Sequence, residues 1–188
     1  MSPQRLRNGP VYTPRTITVQ RPQSGTLFQA PAGAQRIVIF SNVANFDPAR
    51  IPLKAGDWCI HINRAAHASA AMAVPGTWHT LFIRHGGNHG TGFIWHTPPA
   101  GFNGYRSVVF YYHAPTAVWM QEYRLHAKSG NPTSGFICYQ NARAAAPHLP
   151  LILAGFAPDS DISYRWPEHD WQYEADYYKQ HHVTIFRP

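Results

Sequence analysis

Arg36-Ile-Val-Ile-Phe40, running into Ser41-Asn42, is the stretch whose reading decides the fold. It is an apolar, β-branched run with no polar alternation. Such a strand is buried on both faces, the habit of strands in parallel sheets. Ser41 and Asn42 are turn residues and end it. The same kind of run recurs downstream in Asp57-Trp-Cys-Ile-His-Ile-Asn63, Thr77-Trp-His-Thr-Leu-Phe-Ile83, Ser107-Val-Val-Phe-Tyr-Tyr112, the segment 149–154 and Val183-Thr-Ile-Phe186. Segments that read as helices lie between them. The Ala-rich 65–74 is stopped by Pro75-Gly76, 116–128 by Ser129-Gly130, and 135–146 by Pro147, while 167–180 carries a proline near its start. Strands alternating with helices define an α/β chain: a single Rossmann-like domain whose mostly parallel central sheet is flanked by helices. The domain is read as 36–188, preceded by an N-terminal arm, 1–35, in which Thr16-Ile-Thr-Val is a short edge-strand candidate.

Composition sets the bounds. A chain of 188 residues, with 14% aromatic and 13% charged residues, is long enough for one domain with a substantial core and is not a disordered chain. No apolar run approaches the ~18 residues of a membrane span. The segment Met1-Ser-Pro-Gln-Arg-Leu-Arg7 lacks the apolar core of a signal peptide, so the expected location is cytoplasmic. Lys and Arg number 16 against 9 Asp and Glu, a net charge of +7 that suits an acidic partner. Cys59 and Cys138 are too few and too far apart for a zinc motif and read as buried free thiols in a reducing compartment.

Two regions carry candidate chemistry. In Asn131-Pro-Thr-Ser-Gly135, Pro132 and Gly135 flank two hydroxyls at the start of a helix, where free backbone N–H groups favour an anion. Gly155-Phe156 closes a buried strand, at the sheet edge where open α/β folds bind ligands. His169-Asp-Trp-Gln-Tyr-Glu174 supplies an imidazole able to take a proton from a hydroxyl, with a carboxylate about one turn on. Asn42 and Asn63 each end a strand, either as turn caps or as amides for a nucleotide. Neither a dinucleotide-binding glycine fingerprint nor a P-loop follows Phe40. The connection 84–105 holds six glycines and His85, His89 and His96, but its glycines disfavour the held geometry of a metal site. Asp159-Ser-Asp161 reads as a turn. Tyr105-Arg106 and Tyr164-Arg165-Trp166 are aromatic–basic pairs of the kind that stack on bases, though scattered.

Taken together, these blocks resemble the sialyl motifs of the animal-type sialyltransferase family. Arg36 to Asn42 with Asp57 to Asn63 is similar to the long motif. Pro132-Thr-Ser-Gly135 through Leu151-Ile-Leu-Ala-Gly-Phe156 is similar to the short motif, and His169 to Glu174 to the very short one. The resemblance implies a sialyltransferase-like variant of the GT-A fold. It also implies a metal-independent, inverting transfer of an acidic nonulosonic sugar, sialic acid or a Kdo-like sugar, from a CMP-linked donor. No cofactor is implied beyond that co-substrate. The acceptor is a hydroxyl of a glycan or glycolipid, reached by peripheral contact at the inner membrane face; no specific nucleic acid is expected. His169 is then the base, with Glu174 orienting it or capping the local structure. Asn42 and Asn63, beside Ser41, contact the nucleotide. By the same resemblance Ser134 and Gly135, beside Thr133, would hold the donor's phosphate or carboxylate, and Gly155 and Phe156 are further donor- or nucleotide-binding candidates. The chain departs from the family in having only a short segment, 157–168, between the last two motifs, where Tyr164 stands in for a phosphate-contacting residue. Ser-Asn-Val replaces a glycine-bearing turn, and Cys59 and Cys138 are not at the family's disulfide positions. The alternative readings are a basic α/β module for nucleic acid or polyanions, or a non-catalytic relative of the transferases.

Overall fold

The computed structural model describes residues 16–20, 28–43, 46–84, 104–111, 118–157 and 169–188. Seven strands form one sheet: β1 (Thr16–Gln20), β2 (Arg36–Phe40), β3 (Asp57–Ile62), β4 (Trp78–Arg84), β5 (Ser107–Tyr111), β6 (Leu151–Ala154) and β7 (Thr184–Phe186). Their spatial order is β1-β5-β4-β3-β2-β6-β7, and every neighbouring pair is parallel. From β2 the chain builds outward through β3, β4 and β5, then returns to the other side of β2 to add β6 and β7. The order therefore reverses between β2 and β6, which makes the carboxyl ends of those strands the topological switch point.

The helices are α1 (Ala68–Met72), α2 (Val118–His126), α3 (Ser134–Ala145) and α4 (Trp171–Gln180), with a 3-10 turn at Pro48–Arg50. Side-chain alternation along the strands sorts the core onto two faces. Ile37 and Ile39 of β2, with Trp58, Ile60 and Ile62 of β3, meet the residues of α2, α3 and α4. Phe136 is the hub there, with Tyr123, Tyr139, Tyr173, Tyr177 and Tyr178 around its ring. Val38, Phe40 and Cys59 face the other way, toward Phe46, Ile51 and Ala71 beside the 3-10 turn and α1. This double burial is what the unbroken apolar runs require.

The sequence reading of a parallel α/β fold is the architecture observed, and Arg36–Phe40 forms with the expected bounds. Other elements are shorter for identifiable reasons. The helix expected over 65–74 spans only Ala68–Met72, because Asn63 and Ala65 both adopt positive φ and turn the chain first. β6 starts at Leu151 because Pro150 has no N–H, although its carbonyl accepts from Ile37 N at 2.8 Å. α4 begins at Trp171, where the Asp170 carboxylate accepts from Tyr173 N at 3.0 Å. In the expected arm, Thr16–Gln20 pairs along β5, and Phe28 is buried against Trp58 and Phe82, so packed structure begins before Arg36. Cys59 and Cys138 are buried free thiols, and burial pushes Cys59 up to about 12. No helix among the described residues is long and apolar enough to cross a membrane.

Candidate active site at the carboxyl edge of the sheet

Most of the residues singled out from the sequence come to the carboxyl edge. At the switch point, Ser41 N donates to Ala154 O at 2.9 Å, and the Ser41 hydroxyl donates to Gly155 O at 2.7 Å. The same hydroxyl accepts from Val43 N at 3.3 Å. Ser41 thus joins the ends of β2 and β6. Gly155 has φ +75°, and a Cβ there would collide with Ser41 Oγ and press on Phe46, so the position requires glycine. Asn42 is exposed just beyond β2. Asn63 follows the end of β3 as Asn42 follows the end of β2, the two strands being adjacent. Asn63, at φ +52°, accepts through Oδ1 from Arg84 N at 3.1 Å, so this amide caps the end of β4.

Arg84 extends the edge toward the second half of the site. Its guanidinium donates to Pro132 O at 2.7 Å and to Asn131 Oδ1. The segment Asn131–Thr133 is thereby pinned from the sheet side, and the other side is held by α4. His169 Nδ1 lies 2.6 Å from Asn131 O. A carbonyl only accepts, so Nδ1 carries the proton, and in the neutral ring Nε2 keeps the basic lone pair. The half-buried ring stands edge-on to Trp171 at 5.7 Å. Asp170 fixes the backbone beside it, accepting from Lys128 N at 2.6 Å as well as capping α4.

Glu174 is 1% exposed. Its Oε1 accepts from Thr133 N at 2.7 Å and from Tyr123 OH at 3.3 Å, and its Oε2 accepts from Thr133 Oγ1 at 2.6 Å. Burial pushes this carboxyl up to about 7, against the pull of those hydrogen bonds and of the Arg84 charge. Of the two roles the sequence left open for Glu174, orienting the imidazole or capping local structure, its contacts serve the second. It is a positioning residue that ties α4 to the start of α3.

The expected roles at the start of α3 divide in a similar way. Thr133 is the N-cap: its hydroxyl accepts from Phe136 N at 3.0 Å while donating to Glu174. Both functions of that hydroxyl are engaged, so Thr133 is not the anion-holding hydroxyl expected from the sequence. Gly135 is buried under the ring of Phe156, which a Cβ would strike. Its glycine is explained by the approach of that ring. What remains for an anion is the half-buried Ser134 hydroxyl with the N–H groups of Ser134 and Gly135, which have no acceptor within the helix.

Tyr164, with Arg165, Trp166, Asp159, Asp161, His85, His89 and His96, lies outside the described residues. Tyr105 is buried, its ring edge-on to His61 at 5.8 Å, which removes it from the base-stacking reading. Among the described residues, no three His, Cys, Asp or Glu side chains are arranged to hold a metal ion. Sequence reasoning gave no role to Arg84, or to Asn131 and Asp170 within the stretches it singled out. Asp170 carried a readable signal as a capping residue ahead of a helix. Arg84 carried a weaker one, a cation ending a buried apolar strand.

The fold is a parallel-sheet α/β domain that gathers these polar residues at the carboxyl ends of its strands, beside the switch point. No family model, curated protein or solved structure matches the chain.

Proposed function

We propose that the chain is a glycosyltransferase of the sialyltransferase-like kind, using a CMP-linked acidic sugar as donor and a glycan or glycolipid hydroxyl as acceptor. One observation carries this reading. His169, its tautomer set by Asn131, shares the carboxyl edge of a parallel sheet with the first turn of α3 and with the strand-end residues Ser41, Asn42 and Asn63. In the proposed reaction the acceptor hydroxyl gives its proton to His169 Nε2 as its oxygen attacks the anomeric carbon. The bond from that carbon to the CMP phosphate oxygen breaks on the opposite face, which inverts the configuration. Charge gathers on the departing phosphate, where the N–H groups of Ser134 and Gly135 and the Ser134 hydroxyl are suited to receive it. Asn42 and the Asn63 amide NH2 are the candidate nucleotide contacts, with Ser41 and Gly155 joining β2 to β6 on the side away from Asn63. The net charge of +7 suits an anionic donor and an acceptor at an anionic membrane surface.

The test is CMP binding followed by transfer. CMP should raise the melting temperature where AMP does not, and His169→Ala should lose transfer while keeping CMP binding. An H169A protein that still transfers sugar at the wild-type rate removes the base assignment. Binding that ignores CMP but follows RNA with a steep salt dependence returns the chain to the polyanion-binding reading.

A further inference from the structure

On the face of the sheet that carries α1, three imidazoles lie together beneath the loop that follows β2. His61, on β3, is fully buried, and His79, on β4, and His67, at the start of α1, are nearly so. Their protons can be assigned from the hydrogen bonds. The Thr77 hydroxyl donates to Val74 O at 2.8 Å, so toward His79 Nε2, 2.7 Å away, it accepts. His79 Nε2 therefore carries a proton, and in the neutral ring Nδ1 accepts from His61 Nε2 at 3.1 Å. The chain ends on His61 Nδ1, a lone pair with no donor among the described residues, in a fully buried ring. The ring is held flat against Phe40, with centroids 5.1 Å apart and planes 6° from parallel.

The same cluster fastens the loop and α1. His67 Nε2 donates to Val43 O at 2.5 Å, its ring edge-on to Phe46. Thr77, through Val74 O, holds the end of the α1 turn. We propose that His61 and His79 form an acid-sensitive latch: a proton taken up there loosens α1 and releases the loop of Ser41, Asn42 and Val43 from the switch point, while the helix-packed face stays closed.

The surroundings give the latch its sign. Phe40 faces His61 from β2, His79 from β4 and Tyr105 from ahead of β5; Cys59 shares its face of β3, and His67, just before α1, packs on Phe40. Arg36 and Asp57 lie at the far end of the strands, closed on each other. A proton on His79 or His67 would repel one on His61, in the same direction as its burial. Burial holds His61 well below its ordinary 6.5 and brings His79 down to about 4. A depressed histidine stabilises the folded form above the unfolded value and loses that contribution as pH falls from 6.5 toward the folded value.

The experiment is amide hydrogen exchange between pH 7.5 and pH 5, corrected for intrinsic rates, on wild type and on the double variant His61→Phe/His79→Leu. In the wild type, protection at Val43, Ala71 and Val74 should fall about 30-fold, the factor His79 alone supplies, while Cys138 to Ala142 in α3 hold theirs. The double variant should show no such fall. Equal loss on both faces, no loss at all, or the same loss in the variant overturns the latch. Should the variant not fold, imidazole Cε1–H resonances of the wild type decide. Titration of both rings near 6.5 with α1 still protected overturns the proposal, whereas onset of titration together with loss of α1 protection upholds it.

Discussion

The two ends of the sheet use charge in opposite ways. At the amino end, Arg36 and Asp57 are closed on each other: Arg36 Nε and an Nη donate to the two Asp57 oxygens at 2.9 and 2.5 Å. Lys54 N adds a third bond to Asp57 at 2.9 Å, and Arg36 also reaches Pro52 O. The bonds there are made inside the fold: they pair β2 with β3 and hold the 52–54 segment that leads into β3. At the carboxyl end, Arg84, Asn131, Thr133, Asp170 and Glu174 are also bonded to one another or to backbone, but their bonds converge on the placement of other groups. They hold an imidazole with a set tautomer, and two N–H groups at a helix start that have no acceptor within the helix. Stability at one end and a poised surface at the other is the arrangement expected of an α/β domain that works at its switch point.

Substitutions can pull the ends apart. The largest effect is expected at the carboxyl end. His169→Ala should lower transfer by about 10²- to 10⁴-fold, the usual worth of a positioned base, while the urea midpoint stays close to wild type. A comparable loss of stability would place His169 with the structural residues. At the amino end the pattern inverts. Asp57→Ala leaves Arg36 partly buried without its carboxylate and should cost about 3–5 kcal/mol in urea unfolding, with the CMP affinity of the folded fraction unchanged.

Glu174 joins the two behaviours. Glu174→Ala strands the buried Thr133 N–H and hydroxyl, at about 1–3 kcal/mol for each unpaired donor. Glu174→Gln mimics the protonated acid, since its amide oxygen accepts from Thr133 N and Tyr123 and its amide nitrogen donates to Thr133 Oγ1. A raised carboxyl contributes stability that is complete below the unfolded value of 4.5 and is lost as pH climbs through about 7. Wild type should therefore match E174Q at low pH and fall behind it by up to about 3 kcal/mol above pH 7, read from urea midpoints across pH. Parallel curves would mean that Glu174 does not titrate where its burial indicates. The smallest effect is Gly135→Ala, about 1–3 kcal/mol because the new methyl meets the Phe156 ring. Phe156→Leu in the same chain should recover part of it, and no recovery would mean that backbone freedom, not the ring, requires the glycine.

The two ends also differed in how far the sequence disclosed them. The strands were legible because burial on both faces leaves an unbroken apolar run, as at Arg36–Phe40. Gly155 was legible as the end of a strand, but not as the close approach to Ser41 and Phe46 that requires a glycine there. The division of labour within Thr133-Ser-Gly135 was not, because it depends on Glu174 and Phe156 arriving from later in the chain. The roles of Arg84 and Asn131 escaped notice for the same reason: the two are 47 residues apart, and nothing local to either announces the other. The His61–His79–His67 cluster is likewise assembled from two strands and the approach to α1, and no spacing along the sequence reveals it.

The proposed transfer requires a cytidine nucleotide to bind at the carboxyl end. The direct measurement is a titration of the isotope-labelled protein with CMP and separately with AMP, following backbone amides and melting temperature together. CMP should move the amides of Asn42, Asn63, Ser134 and Gly135, and at a hundredfold excess over its dissociation constant should stabilise the fold by about 2.7 kcal/mol. AMP should do neither. Millimolar CMP with no thermal shift, or with amide shifts confined to the Arg36–Asp57 end, would contradict the account.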